Sequence, residues 1–161
     1  MAIFLIGMPA AGKTSYGKCL SEQLNFAFYD LDAEIEKIHG TTIRHLFAEQ
    51  GEAHFREIER DILHTFAQKK ETIVATGGGT ACFYDNINFM NTHGTTVWLN
   101  TPKETVVARL LADSERPLWQ TILKNDIDLN EKKNLVSAFY DKLYAERAIF
   151  YAQAQEVSVC G

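Results

Sequence analysis

The sequence predicts an α/β fold built on a parallel sheet, and two observations support this prediction. Five short apolar runs recur along the chain, separated by longer segments with helical periodicity. Most of the runs are continuous rather than alternating, as expected for parallel strands that are covered on both faces. The predicted strands are residues 3–6, 26–29, 72–75, 95–99 and 156–159. The last run alternates with polar residues and therefore predicts an edge strand.

Amphipathic segments between these strands predict the helices. The expected helices cover residues 13–24, 32–39, 42–49, 53–69 and 135–153. Another helix is expected to begin at Thr101, which would cap it, with Pro102 in the first turn and Glu104 completing a capping box. The polar segment 113–131 interrupts the pattern, and we interpret it as an excursion from one domain rather than a second domain.

The composition is that of one folded domain. The chain has 161 residues, of which 46% are hydrophobic and 23% are charged. Lys and Arg number 16 against 21 Asp and Glu, so the net charge is −5. Nucleic acid is not an expected partner, because its binding requires a basic face. A membrane is not expected either, since no apolar run has the length of a bilayer span.

The cysteines favour a reducing compartment. Cys19, Cys82 and Cys160 are odd in number and widely spaced, which fits neither a disulfide framework nor a metal site. Reduced thiols are typical of a cytoplasmic protein. The five histidines also lack metal-ligand spacing. We expect a monomer, because a chain of this length can bury its own core.

The most specific motif is a glycine loop between the first strand and the first helix. Residues 7–14, GMPAAGKT, match the phosphate-binding pattern G-x-x-x-x-G-K-[ST]. Glycines let backbone N–H groups face phosphate oxygens, and the helix N-terminus adds a favourable dipole. Lys13 would supply charge to the β- and γ-phosphates, and Thr14 would offer its hydroxyl to Mg²⁺. The loop residues expected to bind a nucleotide are Gly7, Ala10, Ala11, Gly12, Lys13, Thr14 and Ser15.

Polar residues also follow the second and third strands, where ligands bind in open α/β sheets. Asp30 and Asp32 could divide their roles between a metal ion and a substrate hydroxyl, or Asp32 could simply cap the next helix. Arg56 lies on a helix and could bind a carboxylate, or it could form an exposed pair with Glu52. The glycine triplet 77–79 could let backbone N–H groups approach a ligand, or it could form a plain turn.

Two arginines follow later in the chain. Arg116 lies in the polar excursion and could close over phosphates, neutralise developing charge and exclude water. Arg109 precedes it on a helix and could stack on a base. The alternative for both is a solvated surface arginine.

In their order and spacing these motifs resemble the shikimate kinase family, from the Gly7 loop to the Arg147 segment. The resemblance implies a P-loop kinase of adenylate-kinase-like, three-layer type with a five-stranded parallel sheet. It implies one kinase domain over 1–161, with a helical substrate-binding region near 32–60 and a lid near 110–126. It further implies that ATP, with Mg²⁺, phosphorylates the 3-hydroxyl of shikimate in the chorismate route to aromatic amino acids.

The resemblance also implies a role for each matching residue. The residues expected to be catalytic are Lys13, Asp32 and Arg116. Those expected at the metal ion are Thr14 and Asp30. Those expected around shikimate are Asp32, Arg56, Gly77, Gly78, Gly79 and Arg147. Besides the loop, Arg109 and Arg116 are expected to contact the nucleotide, with Arg109 on the adenine side.

Two other functions remain open from the sequence. One is another small-molecule P-loop kinase, acting on gluconate or a nucleoside monophosphate. The other is a nucleotide-binding module without turnover. The glycine triplet with Arg56 and Arg147 favours an acid as the acceptor. Asp30, Asp32 and Arg116 argue against a mere binder, which needs neither an acceptor-side carboxylate nor a lid. Ala10 departs from the pattern, since many small-molecule kinases carry another glycine there.

Overall fold

A computed structural model describes residues 1–113 and 128–159. The elements in chain order are β1 (Ala2–Ile6), α1 (Lys13–Leu24), β2 (Ala27–Asp30), α2 (Leu31–His39), α3 (Ile43–His64), β3 (Thr72–Ala75), a 3-10 turn (Thr80–Cys82), α4 (Asn86–His93), β4 (Gly94–Leu99), α5 (Lys103–Ala112), α6 (Leu129–Tyr151) and β5 (Glu156–Ser158). The five strands pair in parallel in the order β2-β3-β1-β4-β5. The predicted α/β class, the five-stranded parallel sheet and the edge position of the last strand are confirmed.

The central strand β1 fixes where a ligand can bind. Its residues Phe4, Leu5 and Ile6 are fully buried between β3 and β4. Because all strands run in the same direction, their carboxyl ends meet at one edge of the sheet. The segments that follow β1, β2 and β3 are therefore brought together there. Within the described ranges, no helix is both long and apolar enough to traverse a bilayer.

The region between β2 and β3 differs from the prediction at its helix ends. The two helices predicted over 42–49 and 53–69 form one element, α3, with a break at Gly51, where φ is 79° and ψ is 171°. The helix ends at His64 rather than at residue 69. The hydroxyl of Thr65 donates to the carbonyl of Ile62, a side-chain bond that competes with continuation of the helix.

The predicted cap of α5 is wrong. The Thr101 hydroxyl instead donates to the carbonyl of Ala11 at 2.7 Å, which ties the end of β4 to the glycine loop. That bond satisfies a buried loop carbonyl, and α5 begins at Lys103 directly after Pro102. No side chain among the described residues caps α5.

The last long helix begins earlier than its apolar periodicity predicts. It starts at Leu129, six positions before residue 135, because Asp128 accepts a hydrogen bond from the Glu131 N–H at 2.9 Å and caps the first turn. Helix α4 was not predicted from the sequence, since its asparagines are weak helix formers. Apart from residues 110–113, the predicted lid and Arg116 lie outside the described residues.

Candidate active site

A cavity of about 650 Å³ opens at the carboxyl edge of the sheet. Its volume is in the range of small-molecule binding sites. All the residues predicted to bind nucleotide, metal or substrate line this cavity except Gly7 and Arg116. Gly7 lies at the base of the loop, and Arg116 lies outside the described residues. The structure therefore brings together residues that are spread from position 10 to position 147 of the sequence.

The glycine loop connects β1 to the N-terminus of α1. Gly7 has a φ of 144°, and a Cβ atom there would lie 2.7 Å from the carbonyl oxygen of Leu99, so only glycine fits. Gly12 occupies the N-cap of α1 in a left-handed conformation. The loop thus ends at a helix N-terminus, where unpaired N–H groups and the helix dipole favour a bound anion.

Lys13 is held inside this loop. Its side chain is 8% exposed, and Nζ donates to the carbonyl oxygens of Gly7 at 2.9 Å and Met8 at 2.8 Å. These bonds draw the ammonium group across the loop instead of leaving it on the surface. The arrangement keeps a positive charge beside the N-terminus of α1, where it adds to the anion-binding potential of the backbone.

Arg109 of α5 lies across the other side of the loop. Its Nη1 atom donates to the carbonyl oxygen of Ala10 at 3.1 Å. The same atom would lie 3.1 Å from a Cβ at Gly12, which shows how closely the guanidinium approaches the loop backbone. This position suits the predicted contact with a nucleotide.

The backbone at Ala10 is in the left-handed region with a φ of 60°. Because a Cβ atom destabilises that conformation, we expect Ala10→Gly to raise the free energy of unfolding by about 0.5–1 kcal/mol. Denaturant unfolding of the two proteins measures the difference. Ala11→Gly is the matched control, since Ala11 lies outside that region, is 1% exposed and should lose stability on the same change. A loss of stability in both variants would show that Ala10 is not strained.

Thr14 and Asp30 join the loop to the end of β2. The hydroxyl of Thr14 donates to Oδ2 of Asp30 at 2.7 Å. The other carboxylate oxygen, Oδ1, caps α2 by accepting from the N–H groups of Asp32 at 3.1 Å and Ala33 at 3.2 Å. The alternative that Asp32 caps this helix is therefore wrong, because Asp30 does so. The capping bonds fix Asp30 and leave the side chain of Asp32 to face the cavity.

Asp32 is in an environment that disfavours its charge. Burial is the largest cause that raises the pKa of its carboxyl group to about 6, and the negative charges of Glu59 and Asp30 add to it against the opposing charges of Lys13 and Arg56. At neutral pH the group is still mainly ionised. It is thus a carboxylate that can accept a hydrogen bond and whose pKa lies close to the pH at which it would operate.

This pKa has a consequence for stability. Because folding raises the pKa of Asp32 from 3.8 to about 6, the protonated carboxyl group favours the folded state. Its contribution to the free energy of unfolding is complete below about pH 3.8 and is lost as the pH rises through about 6. Asparagine carries no charge at any of these pH values. We therefore expect the free energy of unfolding of Asp32→Asn, relative to that of the unchanged protein, to increase as the pH rises from about 4 to about 7.

Denaturant unfolding across this pH range checks the prediction for Asp32. Asp61→Asn, an exposed change on α3, serves as the control because Asp61 pairs only with its surface neighbour Arg60 among the described ion pairs. A difference between Asp32→Asn and the unchanged protein that stays constant with pH would contradict the raised pKa.

Arg56 lies on α3 and lines the cavity. It is 8% exposed, and Nη1 donates to Glu59 at 2.8 Å while Nη2 donates to Glu52 at 3.3 Å. The ring of Phe83 lies 4.1 Å from its Cζ atom. Within the described part of the chain, its Nε atom is buried without a hydrogen-bond partner. The ion pair with Glu52 does form, but Arg56 is buried rather than exposed as the alternative required.

Glu59 anchors Arg56 from within the protein. It is 1% exposed, and its second oxygen accepts from the hydroxyl of Thr80 at 2.5 Å. A buried carboxylate is stable only when it is paired and hydrogen-bonded, and both conditions are met here. Glu59 and Thr80 were not predicted from the sequence. The spacing of Glu59, three residues after Arg56 on one helix, was the available signal for the first of them.

The glycine triplet after β3 packs against the residues around it. A Cβ atom at Gly78 would lie 2.8 Å from the ring of Pro9, and one at Gly79 would lie 2.6 Å from Nη2 of Arg56. The triplet is therefore not a plain turn, because side chains at these positions would displace the loop or the arginine.

Arg147 of α6 is half-buried and lines the same cavity. Its positive charge and that of Arg56 both act on the thiol of Cys82, whose pKa burial raises to about 11. The two arginines thus reach one cavity from different helices. Two planar guanidinium groups in one cavity are suited to a carboxylate.

The cavity has two chemically different halves. One is formed by the glycine loop with Lys13 and Arg109, and it suits the phosphates of a nucleotide. The other is formed by Arg56, Arg147 and the glycine triplet, and it suits an organic acid. Asp32 lies beside the triplet, since a Cβ atom at Gly77 would be 3.2 Å from its Oδ1. Together with the parallel sheet, this arrangement defines a small P-loop kinase fold.

Comparison with known proteins agrees with this class. The family model described as shikimate kinase matches residues 9–160. A shikimate kinase of Bacteroides thetaiotaomicron is 43% identical over 156 residues, which are 96% of this chain and 84% of the relative. The chain belongs to the shikimate kinase family.

Solved structures give the same result. The crystal structure of shikimate kinase from Bacteroides thetaiotaomicron superposes with a TM-score of 0.88 at 40% identity, covering 99% of this chain and 86% of that one. The structure of shikimate kinase from Acinetobacter baumannii in complex with shikimate has a TM-score of 0.82 at 31% identity, covering 99% of this chain and 83% of that one. The predicted family is confirmed.

Proposed function

We propose that this protein is a shikimate kinase, which transfers the γ-phosphoryl group of ATP to the 3-hydroxyl of shikimate and yields shikimate 3-phosphate and ADP. The observation that carries the proposal is a single cavity joining a phosphate loop to two arginines and a carboxylate. The names of the relatives and the shikimate bound by the Acinetobacter baumannii enzyme support the same acceptor. The product would feed the chorismate route to aromatic amino acids.

In the nucleotide half, the protein would act by positioning and charge. The loop N–H groups and Lys13 would gather the β- and γ-phosphate oxygens, while Arg109 would lie beside the nucleotide. Arg116, which the family resemblance assigns to the lid, would add a second cation over the transferred group. Phosphoryl transfer requires little covalent chemistry from the protein, so these contacts would supply most of the rate enhancement.

Thr14 and Asp30 would hold Mg²⁺. Their side-chain oxygens are 2.7 Å apart at the edge of the loop, and both are the hard oxygen donors that Mg²⁺ prefers. Protein Mg²⁺ sites usually use one or two side chains together with phosphates and waters, so this pair fits. In the described ranges, acidic, histidine and cysteine residues form no cluster of three that would suit a full protein cage. Bound Mg²⁺ would neutralise phosphate charge.

In the acid half, Arg56 and Arg147 would hold the carboxylate of shikimate. Arg56 lines the cavity, and Glu59 keeps its guanidinium group in place. Asp32 would accept a hydrogen bond from the 3-hydroxyl and orient its oxygen toward the γ-phosphorus. As the new O–P bond forms, the hydroxyl proton would pass to Asp32, whose pKa of about 6 allows it to accept that proton and later release it to water.

An assay of ADP release with three acceptors tests the proposal. Shikimate should support turnover, whereas gluconate and AMP should not exceed the background rate of ATP hydrolysis. Turnover with gluconate or AMP in place of shikimate would favour another small-molecule kinase. ADP binding without turnover of any acceptor would favour the nucleotide-binding module. We also propose that the enzyme is a cytoplasmic monomer, and size-exclusion chromatography with light scattering tests its oligomeric state.

A further inference from the structure

Tyr151 ends helix α6 behind the acid half of the cavity. Its side chain is fully buried, and its ring centroid lies 5.9 Å from that of Trp98 on β4. The Tyr151 hydroxyl donates a hydrogen bond to the carbonyl oxygen of Gly78, the middle residue of the glycine triplet. Gly78 lines the cavity, whereas Tyr151 does not. The hydroxyl therefore reaches the glycine triplet from the protein interior.

The same hydroxyl lies near Arg147. This arginine precedes Tyr151 by four residues on α6, so the two side chains lie on one face of the helix, one turn apart. The positive charge of Arg147 partly offsets the burial that raises the pKa of Tyr151. A hydroxyl can donate one hydrogen bond and accept others, so the bond to Gly78 leaves its oxygen able to accept one from Arg147.

Both partners of this hydroxyl need to be held. Glycine has the greatest backbone freedom of any residue, so three in succession would sample many conformations without an anchor. Arginine loses several rotatable bonds when it is fixed, which lowers the affinity of any ligand that must immobilise it. A buried donor fixed by the core reduces both losses before the ligand arrives.

We propose that Tyr151 is a positioning residue for the acid substrate, because its hydroxyl holds the Gly78 carbonyl and the Arg147 guanidinium in their binding arrangement. The inference rests on the proposed function, in which Arg147 and the glycine triplet bind the acid. It assigns Tyr151 no contact with shikimate. Its effect is on the affinity for shikimate and not on the chemical step or on ATP.

Tyr151→Phe tests the proposal, since it removes the hydroxyl alone. We expect the KM for shikimate to rise by about tenfold, while kcat and the KM for ATP change by less than about twofold. Tyr140→Phe is the matched control, because Tyr140 is also buried on α6 but stacks on Tyr144 away from the cavity. That control should have the kinetics of the unchanged enzyme.

Ligand-induced thermal shifts provide a second measurement if Tyr151→Phe is too unstable for full kinetics. Since a ligand stabilises the form that binds it, ADP should raise the Tm of the variant as much as that of the unchanged enzyme, and shikimate should raise it less. Equal shifts with shikimate in both proteins would overturn the proposal. So would parallel increases in the KM values for both substrates, which are the result of a general loss of structure.

A double-mutant cycle separates the two partners of the hydroxyl. If Tyr151 acts through Arg147, Tyr151→Phe should raise the KM for shikimate by a smaller factor in an Arg147→Ala background. An equal factor in both backgrounds would overturn the role through Arg147. Failure of the unchanged enzyme to phosphorylate shikimate would instead overturn the proposed function, so the two failures are distinguishable.

Discussion

Lys13→Ala is expected to lower kcat by about a thousandfold, which is the size of effect seen when a preorganised electrostatic contact to a transition state is removed. The ammonium group lies inside the glycine loop, bound to the carbonyl oxygens of Gly7 and Met8. Alanine removes the charge that would meet the oxygens of the transferred phosphoryl group. Steady-state ADP release with saturating ATP and shikimate measures the loss.

A second lysine on α1 controls for Lys13→Ala. Lys18 is exposed on the same helix and lies outside the cavity, so Lys18→Ala should retain the kcat of the unchanged enzyme. Circular dichroism of both variants checks that α1 has formed. Retention of full turnover by a folded Lys13→Ala enzyme would remove the glycine loop from the reaction.

Arg56→Ala is expected to raise the KM for shikimate by about a hundredfold, the effect of losing one arginine from a charged, desolvated contact. The KM for ATP should change much less, because Arg56 lies in the acid half of the cavity. Initial rates measured against each substrate in turn give both values. An unchanged KM for shikimate would exclude Arg56 from the substrate site.

The structure indicates how to separate binding from folding in this variant. Removal of Arg56 leaves Glu59, which is 1% exposed, without its ion pair, at a cost of about 3–5 kcal/mol in the free energy of unfolding. The double variant Arg56→Ala with Glu59→Gln should regain much of that stability but keep the high KM. Arg60→Ala is the control, since Arg60 lies on the same helix and pairs on the surface with Asp61.

The sequence predicts the sheet well because its strands are buried on both faces. Their continuous apolar runs differ clearly from the amphipathic helices, so all five strands were located to within about a residue or two at each end. The helix ends were predicted less well, because side-chain hydrogen bonds decide them. Thr101 bonds to a loop carbonyl rather than to its helix, and Asp128 starts α6 six residues early.

The individual site residues were accessible from sequence because each belongs to a spaced motif. The residues that hold these site residues in place were not predicted from the sequence. Thr80 and Tyr151 contact cavity residues through bonds formed only when separate elements pack, such as the bond from Tyr151 to Gly78 across 73 positions. Glu59 pairs with Arg56 on one helix, and their spacing was the only local signal for it. The raised pKa of Asp32 is likewise a result of burial and of Glu59, which the local sequence around Asp32 does not contain.

The most direct test of a shared phosphate and acid site is a crystal structure of the protein with ADP and shikimate. We expect the ADP phosphates on the glycine loop beside Lys13, the shikimate carboxylate between Arg56 and Arg147, and the 3-hydroxyl on Asp32, facing the β-phosphate. Either ligand bound at another place on the protein, or shikimate bound with its carboxylate away from both arginines, would contradict the proposed site.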